Sequence, residues 1–341
     1  MIVRLLIYEL FSSGASGDGG ELALLGLAMF NAVVSDFAAI PGLNIVTIVA
    51  DRLRSRVAAA CSQENVAIRW TRNSGGAWPE YFAEALTLCD GALIIAPETD
   101  GILTRLTRLA EESGKVVLGS SSSATELAGN KYKLLKLLAA QGLSVPRTGL
   151  ITRTARPWAA PVFRRLALPL VVKPAAGAGC QGVFLLERAE QLTAAGAWRT
   201  ARPPMLVQEY IAGEAVSVSC LVTGGQALPV SVNQQLLRVN GQFHFAGITT
   251  PYSHPQAEAA KAVAKRACET VSGLAGFVGV DLVLGAAGPV IIEINPRITA
   301  AYIALREVLA GNLAHSLYQL CLQQSLPVLP AVLGSYTYIR D

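Results

Sequence analysis

Two carboxylates and an amide near the end of the chain have the spacing of a divalent-cation site. Phe277-Val-Gly-Val-Asp281-Leu-Val-Leu and Pro289-Val-Ile-Ile-Glu293-Ile-Asn295-Pro296 alternate as strands do, and Gly285-Ala-Ala-Gly288 between them reads as a hairpin turn. With the centre near Ala287, Asp281 and Glu293 each lie six residues away and face one another across the pair. Opposed carboxylates repel. The two-residue period also puts Asn295 on the face of Glu293. Three oxygen donors, two of them anionic, suit Mg²⁺ or Mn²⁺ bridging nucleotide phosphates, and the ion removes the repulsion. The alternative is the solvent-exposed face of an edge hairpin, but the apolar residues flanking Glu293 demand a buried opposite face. Pro296 halts the strand, and Arg297 follows closely enough for its guanidinium to meet a phosphoryl group in transfer.

A second cluster surrounds Gly177-Ala-Gly179-Cys-Gln-Gly182, which fits the spacing G-x-G-x-x-G. A dinucleotide-binding loop of that form must lead into a helix, whose N-terminus holds the pyrophosphate. Here the apolar stretch Val183 to Leu186 predicts a strand instead. Strand (Leu170 to Lys173), glycine loop and strand make a hairpin flap whose backbone N–H groups can close over phosphates. Lys173 precedes the loop, and no protein-kinase catalytic or magnesium loop follows it. A mobile turn with incidental glycines is the alternative.

These groups must be carried by surrounding elements. The first third alternates strands (Val3 to Tyr8, Asn44 to Val49, Gly91 to Ile95, Val116 to Gly119) with helices (Leu22 to Phe37, Pro79 to Leu88, Thr99 to Ser113). That order implies right-handed crossovers and a mostly parallel, Rossmann-like sheet. The loop Glu9 to Gly20, between the first strand and helix, could offer N–H groups to an anion. Asn130 reads as the N-cap of a helix carrying Lys131, Lys133 and Lys136. Beyond the flap, Gln191 to Thr200 reads as a helix or its remnant. A strand-rich block (Met205 to Phe245), a helix (Pro255 to Ala275), the acid-bearing hairpin and a final helix (Ala301 to Gln324) complete an α+β half with antiparallel pairing.

Composition bounds the function. The 341 residues are 52% hydrophobic and 15% charged, enough for two or three domains with real cores and incompatible with disorder. The longest apolar run, Leu22 to Val34, has 13 residues, too few to span a bilayer. The opening residues lack the pattern of a signal peptide, so a cytoplasmic protein without membrane contact is expected. Six scattered cysteines without a C-x-x-C pair and three distant histidines argue against a zinc or disulfide framework. A net charge of +4 without a basic block excludes nucleic acid as a natural partner.

Lys131, Lys173 with its flap, Gln208-Glu209-Tyr210-Ile211-Ala-Gly-Glu214, Asp281 and Glu293-Ile-Asn295-Pro-Arg297 stand in the order found in the ATP-grasp carboxylate-amine ligases, which the whole chain resembles. The resemblance implies a mixed α/β and α+β chain with the ATP-grasp fold. A Rossmann-like pre-ATP-grasp domain (residues 1–125), a flap subdomain (126–205) and a C-terminal subdomain with the metal site (206–341) are expected. By the same resemblance Lys131 and Lys173 contact phosphates, and Gly177, Gly179 and Gly182 cover them. The backbone of Glu209, Tyr210 and Ile211 meets adenine and Glu214 the ribose. Asp281, Glu293 and Asn295 ligate two Mg²⁺ or Mn²⁺ ions, and Arg297 with Lys173 does the catalytic work on the phosphoryl group.

The implied chemistry is activation of a carboxylate by ATP as an acyl phosphate, then attack by an amine. It needs no protein nucleophile, so Cys180 at the flap tip reads as a tolerated small residue. A closing flap would keep water from the acyl phosphate. Within the family the chain looks most like the tyramine-glutamate ligases of methanofuran-type cofactor synthesis, which join the γ-carboxylate of L-glutamate to tyramine. Glu9, Glu98 and Thr299 are the corresponding candidates for substrate contact. Another ATP-grasp ligase, or an ATP-binding regulatory protein without turnover, is the alternative. Because homo-oligomers are common among proteins in general, a homodimer is the expectation for the assembly.

Overall fold

The computed structural model describes residues 2–15, 20–57, 59–72, 78–152, 163, 165–192 and 204–340. Arg4–Glu9 (β1), Asn44–Ala50 (β2), Val66–Thr71 (β3), Gly91–Ile95 (β4) and Val116–Val117 (β5) form a parallel sheet in the order β3-β2-β1-β4-β5. The order reverses beside β1, so the carboxyl ends of β1 and β4 open onto a crevice where ligands bind in such sheets. The edge strand β3 escapes a reading by hydrophobic runs. It is Val-Ala-Ile-Arg-Trp-Thr, half-buried along most of its length, and pairing with β2 defines it. The last strand is shorter than the expected Val116 to Gly119, although the Leu118 N–H still bonds the Ala92 carbonyl at 2.8 Å.

Gly20–Ala38 (α1) crosses one face of this sheet and buries Phe30, Val33, Val34 and Phe37, a helical stripe. Residues 16–19 of the loop before it lie outside the described residues. On the other face, Trp78–Thr87 (α2) buries Phe82 edge-on to Tyr8, with ring centroids 5.0 Å apart. The expected helix Thr99 to Ser113 begins instead with a 3-10 turn. Asp100 (φ 53°) and Gly101 (φ 67°) adopt left-handed backbone there before Ile102–Glu112 (α3) runs regularly.

The glycine flap belongs to an antiparallel sheet of Thr148–Ile151 (β6), Leu170–Pro174 (β7), Phe184–Leu186 (β8) and Met205–Glu209 (β9), in the order β6-β9-β7-β8. Of the expected helix Gln191 to Thr200, residues 193–200 lie outside the described residues, and Ala189–Leu192 is a 3-10 turn.

The third sheet is antiparallel, in the order β14-β13-β10-β11-β12-β15, built from Gly213–Thr223 (β10), Gln226–Val239 (β11), Phe243–Thr250 (β12), Gly276–Gly285 (β13), Gly288–Asn295 (β14) and Tyr336–Ile339 (β15). The C-terminal stretch thus closes one edge. Ser122–Gly129 (α4), Lys131–Ala140 (α5) and Ala257–Thr270 (α6) cover one face. Ala260, Ala264 and Ala267 of α6 pack there with Val218 and Val280, small side chains that let the helix approach the sheet closely.

The expected final helix is two, Ala301–Val308 (α7) and Leu313–Gln323 (α8). The break at Leu309 lets the Ala310 N–H and Val308 carbonyl bond the returning residues Ala331 and Leu333 at 2.8 and 2.7 Å, and Asn312 caps the second helix. Asp36 of α1 ties this end to the front sheet: it accepts from the Tyr302 hydroxyl at 2.8 Å and from the Arg306 guanidinium at 2.7 Å. Among the described residues no helix is long and apolar enough to cross a membrane.

Candidate active site

The hairpin turn is two residues, Ala286 and Ala287, with Gly285 paired to Gly288 and Leu282 to Ile291. An unbroken ladder from that turn would set Ile292 against Asp281. A bulge between Asp281 and Leu282 absorbs one residue, and Asp281 faces Glu293 after all, with Asn295 two positions on. The expected register is therefore right for a reason the alternation did not contain, and the irregularity sits beside the functional pair, where bulges commonly re-aim side chains.

Asp281 accepts from the amides of Gln235 at 3.0 Å and Asn295 at 3.2 Å, one on each carboxylate oxygen. Burial, and then the charge of Glu293, pushes the Asp281 carboxyl well above the usual carboxylate range. Burial also raises Glu293, but the ammonium groups of Lys131 and Lys173 outweigh it and hold Glu293 at about 2. The Asn295 amide donates through Nδ2, which leaves its carbonyl oxygen as a donor to a cation. Among the described residues no group of three His, Cys, Asp or Glu side chains stands together. The donor set is two carboxylates and an amide, all hard oxygen, which fits Mg²⁺ or Mn²⁺ completed by phosphate and water.

Lys131, at the first position of α5, reaches Glu293 at 3.2 Å and donates to the Gly177 carbonyl at 2.6 Å. It joins the flap loop to the acid pair. Asn130 caps this helix as expected, accepting from the Lys133 N–H at 3.1 Å. Lys173 on β7 is 4% exposed, and burial pulls its ammonium down to about 8. Such a group favours an incoming anion, which relieves its desolvation.

Gly179 (φ 64°), Cys180 (φ 62°) and Gly182 (φ 68°) shape the flap tip, which rests on Leu22 of α1. The flap also docks on the β11–β12 hairpin: the Leu185 N–H bonds the Gly241 carbonyl at 2.9 Å and the Phe243 N–H bonds Val183 at 3.0 Å. Burial pushes the Cys180 thiol up to about 12, which leaves it protonated and a poor nucleophile.

At the opposite end, Glu209 binds Arg147 through the backbone N–H at 2.8 Å and the guanidinium at 2.7 Å. The N–H groups of Glu209 and Tyr210 bond the carbonyls of Arg147 and Pro169. Glu214 accepts from the Tyr252 hydroxyl. Both lysines, Gly177 and Gly179 of the flap, Glu209 to Ile211, Glu214, the acid pair with Asn295, and Arg297 line one cleft of about 500 Å³, whereas Gly182 sits against Pro174 and is not part of its lining.

Arg297 differs from the simplest expectation. Its guanidinium forms two parallel hydrogen bonds, both 2.9 Å, to the carboxylate of Glu98 at the end of β4, and both side chains are buried. Glu98 therefore holds the arginine, and its carboxylate is committed to that role where substrate contact was expected. Removing one member of a buried pair strands the other. Glu98→Ala should cost about 3 kcal/mol of stability, read as a lower urea midpoint; an unchanged midpoint would remove the pair from the account.

Residues 128–301 match the model of the ATP-grasp domain, and residues 43–125 match that of the pre ATP-grasp 3 domain. This chain belongs to the ATP-grasp family. The ATP-grasp chain is 32% identical over 217 residues to the tyramine--L-glutamate ligase of Methanocaldococcus jannaschii, covering 64% of this chain and 58% of that protein. It is also 32% identical over 197 residues to a Klebsiella pneumoniae protein named "Probable alpha-L-glutamate ligase", covering 56% and 63%. It thus spans less than two thirds of the length of these curated relatives. An ATP-grasp superfamily protein of Archaeoglobus fulgidus has the same fold, with a TM-score of 0.73, 25% identity and coverage of 98% of this chain and 91% of that one. The fold expected from the sequence is borne out.

The ATP-grasp cleft continues past the acid pair to the front sheet. Thr299 lines that side and presses its methyl group toward Gly279, where a Cβ would approach within 2.7 Å. Glu9, at the end of β1, is 1% exposed and accepts from the backbone N–H groups of Phe11 at 3.1 Å and Ser12 at 2.7 Å. Burial raises its carboxyl from 4.5 to about 7 against those hydrogen bonds and the charge of Arg297. The stability this group contributes is therefore complete below about pH 4.5 and is lost as the pH rises through about 7. Across that window the melting temperature of the wild type should fall relative to Glu9→Gln; a constant offset would contradict the raised pKa.

Three residues the sequence reading did not single out complete the site: Gln235 against Asp281, Arg147 against Glu209 and Tyr252 against Glu214. The paired glutamines 234 and 235 inside a strand were the one visible signal. Arg147 and Tyr252 carry none, because only folding places them beside their partners.

Proposed function

We propose that this chain is an ATP-dependent ligase that joins the γ-carboxylate of L-glutamate to the amine of tyramine, releasing ADP and phosphate. The observation that carries the reading is the joining, in one flap-covered cleft, of the Asp281, Glu293 and Asn295 oxygen donors with Lys131, Lys173 and Arg297. Such a site offers what phosphoryl transfer needs, which is positioning and charge neutralisation without a protein nucleophile. The relative named tyramine--L-glutamate ligase supports the choice of substrates.

In this reading Lys131 and Lys173 hold phosphate oxygens, and the hinge 209–211 with Glu214 takes the nucleoside. Asp281, Glu293 and Asn295 would hold one or two Mg²⁺ or Mn²⁺ ions, which supply charge neutralisation at the phosphates. Arg297, fixed by Glu98, faces the transferred group. The glutamate carboxylate oxygen attacks the γ-phosphorus, ADP leaves, and the acyl phosphate is then opened by the amine, which loses a proton as phosphate departs. The docked flap keeps water away meanwhile. A different glutamate-ligating reaction is the second reading, favoured by the Klebsiella pneumoniae relative.

The test is ADP release from ATP, Mg²⁺ and L-glutamate with and without tyramine, followed by mass analysis. Tyramine-dependent ADP and a glutamyl-tyramine adduct are expected. ADP formation with another acceptor but not tyramine would move the assignment to the second reading.

A further inference from the structure

The cleft has two chemically different ends. One holds Lys131, Lys173 and the acid pair; the other is walled by Phe11, Leu25, Met29, Leu237, Phe245 and Ile248, with the Glu98-bound guanidinium of Arg297 at its border. Among the described residues that line the cleft, the one carboxyl group at the apolar end is that of Glu9. Each of the other cleft acids has a side-chain partner: Lys131 for Glu293, Gln235 and Asn295 for Asp281, Arg147 for Glu209, Tyr252 for Glu214. The backbone N–H groups of Phe11 and Ser12 fix Glu9, one on each oxygen, and the Ser12 hydroxyl and the Arg297 guanidinium stand close enough to favour its charged form, while each oxygen keeps a lone pair for an incoming donor. Gly26 of α1 lies against the same carboxylate, where a Cβ would stand 2.6 Å from Oε1. The helix thus carries hydrogen where any side chain would displace the acid.

We propose that this apolar end is the acceptor subsite, that Glu9 binds the ammonium of a primary amine, and that the uncharged body of that amine lies along the α1 wall. The proposal rests on the ligase reading above for the fate of the amine, but not for its binding. A desolvated carboxyl is costly when charged, and a cation entering the pocket offsets that cost. The apolar wall rewards an aromatic or alkyl body, and the guanidinium nearest Glu9, that of Arg297, is already held by two hydrogen bonds to Glu98. An amine with a carboxylate beside its ammonium, such as L-tyrosine, would set that carboxylate against Glu9 and be refused, so the same acid selects for and against.

The experiment is equilibrium dialysis of labelled tyramine, L-tyrosine and methylamine against the full chain with Mg²⁺ and a non-hydrolysable ATP analogue. Wild type should bind tyramine at least tenfold more tightly than L-tyrosine or methylamine. Glu9→Gln should weaken tyramine at least tenfold and shrink the tyramine to L-tyrosine ratio, a change that a purely structural role would not produce. Leu237→Trp, at a half-buried wall position outside the close-packed core, should weaken tyramine while sparing methylamine. Equal binding of tyramine and L-tyrosine by wild type, or unchanged tyramine affinity in both variants, would overturn the subsite. Trapping of glutamyl phosphate with hydroxylamine, in the absence of tyramine, tests the ligase reading separately. Its failure beside intact tyramine binding would discard the reaction and keep the subsite.

Discussion

Glu293→Gln should lower kcat for ADP formation by about three orders of magnitude, corresponding to about 4 kcal/mol of lost transition-state stabilisation, with the fold retained. The amide keeps the shape of the side chain and can still accept from Lys131, now 3.2 Å from the carboxylate. What disappears is one of only two anionic oxygen donors on the hairpin. Opposite it, Asp281 is relieved of the like charge that, after burial, raises its pKa most. The variant should therefore fold, melt below the wild-type temperature because Lys131 and Lys173 lose the anion that they flank, and fail to turn over. Activity within tenfold of wild type would remove Glu293 from the metal site.

The second large effect is expected at Lys173, where activity and stability should move in different directions. It is 4% exposed, and burial is the main cause of its lowered pKa, so the charge is a burden on the free protein. Lys173→Met removes that burden and keeps the length of the side chain. Thermal stability should stay level or rise, while kcat/KM for ATP falls by about three orders of magnitude because a desolvated cation facing phosphate is lost. Sites strained for function behave in this way when relieved. A variant that loses stability and keeps its ATP kinetics would make Lys173 a structural residue.

The two variants probe opposite sides of one electrostatic arrangement. Lys131 and Lys173 hold Glu293 ionised, while Asp281 is pushed toward its neutral form by burial and by Glu293. Buried charge of both signs is thus concentrated where the flap, the acid-bearing hairpin and α5 meet. The flap is joined to this cluster directly through the bond from Lys131 to the Gly177 carbonyl.

How much of this was legible follows from the range of each interaction. The acid pair, Asn295 and the flap could be read because each lies within one hairpin, where period and turn residues fix the faces. Even so, the turn is centred between Ala286 and Ala287, and the bulge before Leu282 restores a register that alternation alone would have lost. The parallel front sheet was legible from its repeating strands and helices, except β3, whose half-buried edge carries no apolar run. The final helix reads as one in the sequence because its apolar spacing continues through Leu309. The pairing that breaks it comes from residues 331 and 333, after the chain has turned back.

Glu98 and Arg297 mark the limit of such reading. Separated by 199 positions, they meet only because the ends of β4 and β14 converge on the cleft, and no local pattern announces a bidentate pair of that span. Glu9 shows the same limit from the other side. Its position at a strand end was visible, but its burial between the apolar wall and Arg297, and the glycine of α1 that makes room for it, belong to the assembled layers.

The claim on which the account turns is that ATP activates a carboxylate in this cleft, and transfer of oxygen isotope tests it most directly. L-Glutamate labelled with ¹⁸O in the γ-carboxylate is incubated with the protein, ATP, Mg²⁺ and tyramine, and the released phosphate is analysed by mass. An acyl phosphate on that carboxylate leaves one labelled oxygen in each phosphate formed. Phosphate without label, released alongside ADP, would show that ATP is spent elsewhere and would contradict the assignment.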